Sequence, residues 1–301
     1  MKKYFCFSKL IILFAIVITW NLASGGIIER KNNLNSFGIG ARAIGLSNAY
    51  TAACNDYTTP VWNPAAMAFF TTTKLGGMQS KMSLHREMTY LSFALPTSHY
   101  GTFALSWAGF GVHDIEARTS NSIEPDSYFS SVERTYFLSY ANVLLPNFSI
   151  GGNIKVLDFG IQNIHAIGMA ADLAFFFVPW DRIRFGFVAQ DLASLLSWSS
   201  EYQEVISKTY RIGACVVPSQ QITFSCDYQQ IDGRKGKFSF ATEVLTFNLI
   251  KLRCGFEKQK WALGSGFTLP IKNTYVTFNY AISTDQLNAG IFDVFDLSVV
   301  F

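Results

Sequence analysis

The chain carries little charge: 15% of its 301 residues are Asp, Glu, Lys or Arg, against about a quarter in ordinary soluble domains. Its net charge of +3 is small and scattered, which excludes a nucleic-acid partner. Long hydrophobic runs are also missing, since none reaches the roughly 18–20 apolar residues of a membrane-crossing helix. Enzyme motifs are absent as well. Gly38-x-Gly40 is followed next by Gly45, which misses the dinucleotide spacing, and Gly264-Ser265-Gly266 is too short for a nucleophile elbow. His85, His99, His113 and His165 fall at predicted turns or strand ends, where solvated rim residues are expected rather than catalytic bases. No Cys-x-x-Cys or His/Cys cluster has metal spacing. No catalytic residue, cofactor or metal is therefore expected.

What is abundant is apolar and aromatic: 50% hydrophobic residues, 16% aromatic, and 28 phenylalanines. A hydrophobic chain without hydrophobic runs points to membrane strands, whose signal is spread thin by alternation. From about residue 74 that alternation is continuous. In 148–156, Phe148, Ile150, Ile154 and Val156 share one face, while Ser149, Asn153 and Lys155 share the other. In 250–257, Ile250, Leu252, Cys254 and Phe256 oppose Lys251, Arg253, Gly255 and Glu257. The spacing predicts about 14 strands: 74–82, 87–95, 99–110, 131–141, 147–157, 165–177, 182–190, 208–217, 221–230, 236–246, 250–258, 261–269, 273–281 and 291–301. The first is poorly patterned, and the fourth puts Arg134 on its apolar face near one end. Every backbone polar group in lipid needs an internal partner, so such strands must close on themselves.

The connections sort in the same way. Turns after the second, fourth, sixth, eighth and twelfth segments are short and proline-bearing (Pro96, Pro146, Pro179, Pro218, Pro270). Long connections, near 111–130, 191–207 and 282–290, follow odd-numbered segments, as in barrels with tight periplasmic turns and longer outer loops. Trp107, Trp180 and Trp261 lie near segment ends, where an aromatic girdle belongs. Cys215 and Cys226 sit across an apparent hairpin but on opposite faces, so no bridge is expected between them.

The N-terminal part differs. Residues 1–25 have a positive start (Lys2, Lys3, Lys9), a short apolar run and a small-residue exit, Ala23-Ser24-Gly25, as in a secretory leader. Residues 38–68 are rich in small residues and end in the stiff turn Trp62-Asn63-Pro64-Ala65. Such a stretch folds compactly but builds no large core, and reads as something packed inside a container.

The run Gly40-Ala41-Arg42-Ala43-Ile44-Gly45, then Ala49-Tyr50-Thr51-Ala52, Asn55-Asp56 and Trp62-Asn63-Pro64-Ala65, resembles the plug of the FadL-like superfamily of bacterial outer-membrane barrels, particularly its PorV/PorQ secretion-associated branch. It departs at Leu46-Ser47-Asn48, where the family usually has Met-Gly-Gly, and at Ala66-Met67, where it usually has Gly-Leu. The resemblance implies a leader over 1–25, a plug (hatch) over 26–73 and a transmembrane β-barrel over 74–301. The fold class is thus an all-β membrane protein, a roughly 14-stranded antiparallel barrel with the plug in its lumen, in the outer membrane of a Gram-negative-type bacterium. It implies a non-enzymatic role in export or surface display of proteins, of type IX secretion kind, with secreted protein as cargo. The alternative is FadL-like passive transport of small hydrophobic compounds such as fatty acids. Other expected partners are outer-membrane lipids and the barrel-assembly machinery, which would read the terminal Phe301.

Plug and gating candidates are Arg42, Asp56, Trp62, Asn63 and Pro64. Trp62-Asn63-Pro64-Ala65 is either a turn fixing the plug to the wall or a movable latch. Inward charges such as Lys155, Asp172, Arg211, Asp227, Glu243, Arg253 and Asp296 either neutralise one another in a wetted lumen or grip the plug through Arg42 and Asp56. In the outer loops, Ile123, Tyr128, Phe129, Trp198 and Tyr202 are candidate ligand or partner contacts. Lipopolysaccharide contact or loop packing are the other uses of those aromatics.

Overall fold

The computed structural model describes residues 28–30, 37–121, 123–258, 260–285, 287 and 289–301. The expected leader lies outside the described residues. Sixteen strands are present among the described residues. They are β1 (Ile28–Arg30), β2 (Lys74–Met82), β3 (Arg86–Thr97), β4 (Gly101–Ala117), β5 (Ser127–Leu145), β6 (Phe148–Ile161), β7 (Ile164–Trp180) and β8 (Ile183–Trp198). Then come β9 (Gln203–Ile206), β10 (Thr209–Ser219), β11 (Ile222–Ile231), β12 (Lys237–Thr246), β13 (Ile250–Glu257), β14 (Lys260–Ile271), β15 (Thr274–Thr284) and β16 (Ile291–Val300). Three short helical pieces, α1 (Ala41–Gly45), α2 (Thr59–Trp62) and a 3-10 turn (Pro64–Phe69), precede β2. None of the described helices is long and apolar enough to cross a membrane.

Fourteen strands, β2–β8 and β10–β16, form a closed antiparallel ring, because β16 returns to pair with β2 (Val294 opposite Ser80, Leu297 opposite Gly77). The ring has no free edge, which satisfies its ladder in a bilayer. Alternation sets the two faces as the sequence predicts. Phe238, Phe240, Phe256, Leu252 and Phe295 are exposed on the outside, whereas Lys155, Asp172, Arg211, Asp227, Arg253 and Asp296 point inward.

The wall is uneven, and this corrects the expected loops. β4 and β5 run for 17 and 19 residues, β13 for only 8. At about 3.3 Å per residue the long pair exceeds the ~30 Å of a hydrocarbon core and rises beyond it. Residues 111–117, 127–130 and 191–198, expected in loops, continue the strands, so the connections shrink to 118–126 and 199–208. The second of these contains β9, which pairs with β8 and, in parallel, with β1. Neither short strand is signalled by sequence alternation. The longer β4 also places Trp107 in mid-strand rather than in a terminal girdle, whereas Trp180 and Trp261 do lie at strand ends.

Several irregular readings gain causes. β2 is poorly patterned because its inward Met78 and Met82 pack on other apolar side chains inside the ring. Arg134 faces outward near the rim and pairs with Asp158 of the next strand, 3.3 Å away. Cys215 is buried, Cys226 lies on the opposite face beside Ala214, and Cys54, Cys215, Cys226 and Cys254 are all free thiols. Among the inward charges Lys251 is half-buried, whereas Lys155, Asp172, Arg211, Asp227, Glu243, Arg253 and Asp296 are almost completely buried.

Candidate functional site

What buries them is the segment from Phe37 to Phe70, which touches inward residues on opposite sides of the ring. α1 packs on β13–β16 and the 3-10 turn on β3–β7. Its local form follows from its sequence. Gly38 and Gly40 take positive φ of 89° and 94°, a region that suits glycine. Asn63 caps the 3-10 turn, its side-chain oxygen accepting from the Ala65 N–H at 3.1 Å, with Pro64 at the first helical position.

Glycines of the wall let this backbone come close. A Cβ on Gly151 would stand 2.6 Å from the Ala65 nitrogen, and one on Gly255 would stand 2.5 Å from the Leu46 carbonyl carbon. Gly186 and Gly213 leave similar room for Thr51, and Gly264 for Gly45. Any larger side chain at these inward positions would displace the segment.

Polar contacts fall into two sets. On one side the wall supplies acceptors. Asp296 of β16 accepts from the Ala41 N–H at 2.7 Å. One oxygen of Asp227 on β11 accepts from the N–H groups of Tyr50 (3.0 Å) and Thr51 (2.8 Å). Glu243 of β12 takes a two-pronged contact from Arg42, Nε at 2.9 Å and Nη2 at 2.8 Å, and also accepts from Arg253 Nε at 2.7 Å. On the other side the wall supplies donors. Ser149 and Asn153 of β6 donate to the Ala65 and Pro60 carbonyls at 2.7 and 3.0 Å, and Gln190 of β8 donates to the Val61 carbonyl at 3.0 Å. A charged acceptor bond is worth about 1.5–3 kcal/mol net and a neutral one about 1 kcal/mol. The carboxylate side therefore grips harder. Asn153 is itself oriented by Asp172 (2.9 Å), which pairs with Lys155 at 2.6 Å.

Each residue predicted for gating can now be placed. Arg42 meets the wall. Burial opposes its charge, but the Glu243 carboxylate beside it more than offsets that and raises its pKa well above the ordinary value. Asp56 grips no wall residue among the described contacts. It orders the segment itself, accepting from Tyr50 Oη at 2.6 Å and from the Thr58 N–H at 2.9 Å. Trp62 Nε1 donates to the Ile39 carbonyl at 2.7 Å, its ring meets Tyr50 edge-on, and the Arg211 guanidinium lies 4.7 Å from its centroid. The Asn63 amide donates to Thr51 within the segment (3.0 Å) and to Phe175 of β7 (3.3 Å). All of these but Asp56 are buried.

The outer-loop candidates form no single cluster. Ile123 is 96% exposed and Tyr128 61% exposed, on the β4–β5 hairpin beside the half-buried Phe129. Tyr202 is exposed on the β8–β9 turn, whereas Trp198 ends β8 and packs against an apolar cluster of Leu157, Phe159, Leu196 and Ile206. Phe301 follows β16, and its N–H donates to the Thr73 carbonyl at 3.0 Å.

Sequence reasoning missed two features. The neutral clasp of Ser149, Asn153 and Gln190 carries no charge to draw notice. The apolar inner sector was hidden because alternation assigns inward residues to water. Met78, Met82, Met88, Tyr90, Phe110, Phe137 and Phe292 all face inward on β2–β5 and β16, packed with Ile39, Ile44 and Tyr57. Methionine at 78, 82 and 88 was the available signal. The space left between Phe37, Ile44, Glu257, Lys260 and Phe292 is only about 20 Å³.

No protein-family model and no curated protein sequence matches the chain. Solved structures do match in fold. The CymD monoaromatic hydrocarbon channel aligns over 89% of this chain and 98% of its own, with TM-score 0.65 and 11% identity. The Pseudomonas putida toluene transporter TodX aligns over 87% and 96%, with TM-score 0.61 and 9% identity. A Pseudomonas aeruginosa FadL homologue aligns over 88% and 99%, with TM-score 0.58 and 11% identity. At these identities the likeness is one of fold.

Proposed function

We propose that the chain is an outer-membrane channel for small hydrophobic compounds, its barrel (74–301) stoppered by an N-terminal plug (26–73) after removal of the leader. The observation that carries this is the apolar inner sector. A water-filled porin lines its lumen with polar side chains, whereas Met78, Met88, Phe110, Phe137 and Phe292 present grease to the interior. Fold likeness to channels for toluene and monoaromatic hydrocarbons supports the same reading. The space beside α1, between Phe37, Ile44 and Phe292, is only about 20 Å³. Passage then requires the plug to shift, with Arg42, Asp56, Trp62, Asn63 and Pro64 as the residues that hold or release it. Phe301 remains the proposed assembly signal. The test is saturable binding of an apolar fluorophore to the purified barrel. Displacement by a fatty acid or a monoaromatic hydrocarbon, and not by sugars, is expected; absence of saturable binding removes the proposal.

A second reading, a PorV/PorQ-like platform for exported proteins, is favoured by the exposed Ile123, Tyr128 and Tyr202. It requires protein cargo to accompany the barrel when purified from its native membrane.

A further inference from the structure

The low side of the wall carries a feature that transport does not use. On the outer face of β10–β13 a groove of about 430 Å³ runs between aromatic ridges. Its floor is small, with Ala214, Cys226, Thr242 and Cys254, and Phe240 and Phe256 stand beside it as cross-strand neighbours. Above it, toward the end bearing the longer loops, Phe238 stacks on Phe240 at 6.4 Å and meets Tyr228 at 4.7 Å, continuing the apolar track upward.

The track ends at a cationic crest. Arg234 and Lys235 occupy the β11–β12 turn, Lys258 follows β13, and Lys208 precedes β10; all four are exposed. The Asp232 N–H donates to the Lys208 carbonyl at 3.0 Å, which brings these turns side by side. Asp232 is the one acid in that turn, and Glu257 is already taken by Lys237 on the inner side, 3.1 Å away. Lys258 is two residues beyond Phe256, roughly 7 Å along the strand.

We propose that this groove and crest together bind one phosphate-bearing acyl lipid of the outer leaflet. An acyl chain fills the groove beside Phe240 and Phe256, and the phosphates meet Lys208, Arg234, Lys235 and Lys258. A lipid without phosphate satisfies only the groove, and a soluble anion only the crest. The chemistry matches clustered Lys/Arg placed directly above an apolar belt, which reads as recognition of anionic lipid head groups. The inference rests on the outer-membrane reading but not on hydrophobic transport.

The test is native mass spectrometry of the full-length barrel released from micelles containing either a bisphosphorylated hexa-acyl glucosamine disaccharide or the same hexa-acyl disaccharide without its phosphates. The phosphorylated lipid should be retained at unit stoichiometry. Retention should fall at least tenfold in K208Q/R234Q/K235Q/K258Q and likewise in T242W, which fills the groove. Heat-dependent gel mobility identifies folded variants, and A214F replaces T242W should the latter not assemble. Equal retention of the phosphate-free lipid, wild-type retention by the crest variant or the groove variant, or dimers in place of lipid overturns the proposal. Apolar probe binding on the same samples separates this failure from failure of the transport reading.

Discussion

Arg42 concentrates what a single side chain contributes here. It leaves α1, crosses to the wall and meets both oxygens of Glu243, which Arg253 holds from the other side. Removing one partner of such a buried pair costs about 3–5 kcal/mol, because the other charge stays buried and uncompensated. Arg42→Glu sets two carboxylates face to face, and a 3 kcal/mol shift changes a closed-to-open ratio more than a hundredfold. Leakage of small hydrophilic antibiotics into expressing cells should therefore rise. Adding Glu243→Gln, which removes the opposing carboxylate and leaves Arg253 to face the carboxylate introduced at position 42, should restore the seal at least in part. Unchanged leakage in Arg42→Glu contradicts the grip assigned to this pair. The sequence offered a grip through Arg42 as one of two readings of the inward charges, but it did not single out Glu243 as the partner. The partners of Asp296 and Asp227 were not legible, since they are backbone N–H groups of Ala41, Tyr50 and Thr51, which no side-chain identity announces.

At the scale of elements, α1 is held by charge on β12 and β16 and residues 50–51 by Asp227 of β11, while residues 60–65 are held by neutral groups of β6 and β8. A Cβ added at Gly45 would lie 3.5 Å from that of Ala281 on β15, within the range a disulfide bridges. The double variant Gly45→Cys/Ala281→Cys should fix α1 to the wall when oxidised. Uptake of a fatty acid by expressing cells is expected to fall at least tenfold and to recover on reduction. Full uptake with the bond formed would mean that α1 does not move during passage. The strands themselves were readable from period two, and the fourteen predicted segments correspond to the fourteen strands of the ring. Their ends were not. Residues 111–117 and 191–198 lose the strict apolar alternation once they clear the lipid, yet their backbone keeps pairing. β9 was invisible because four residues, held to β8 by the Ile206 backbone and the Ser194 hydroxyl, carry no period.

For the whole molecule, closure of the ring followed from composition and alternation, since a greasy chain of short strands has no other way to satisfy its backbone in lipid. What the interior holds did not follow. Alternation distinguishes lipid from not-lipid, and both a polar clamp and an apolar sector count as not-lipid. The two coexist in this lumen: carboxylates and arginines on β11–β13, methionines and aromatics on β2–β5. Together they describe a barrel whose lumen holds a gripped segment beside a greasy side, and under the proposed function an apolar molecule passes along that side when the segment yields. The most direct measurement compares initial uptake rates of a labelled monoaromatic hydrocarbon or fatty acid and of a small hydrophilic solute, in Gram-negative cells with and without the chain. The account predicts faster entry of the apolar compound and no change for the hydrophilic one. Equal acceleration of both, or of neither, contradicts it.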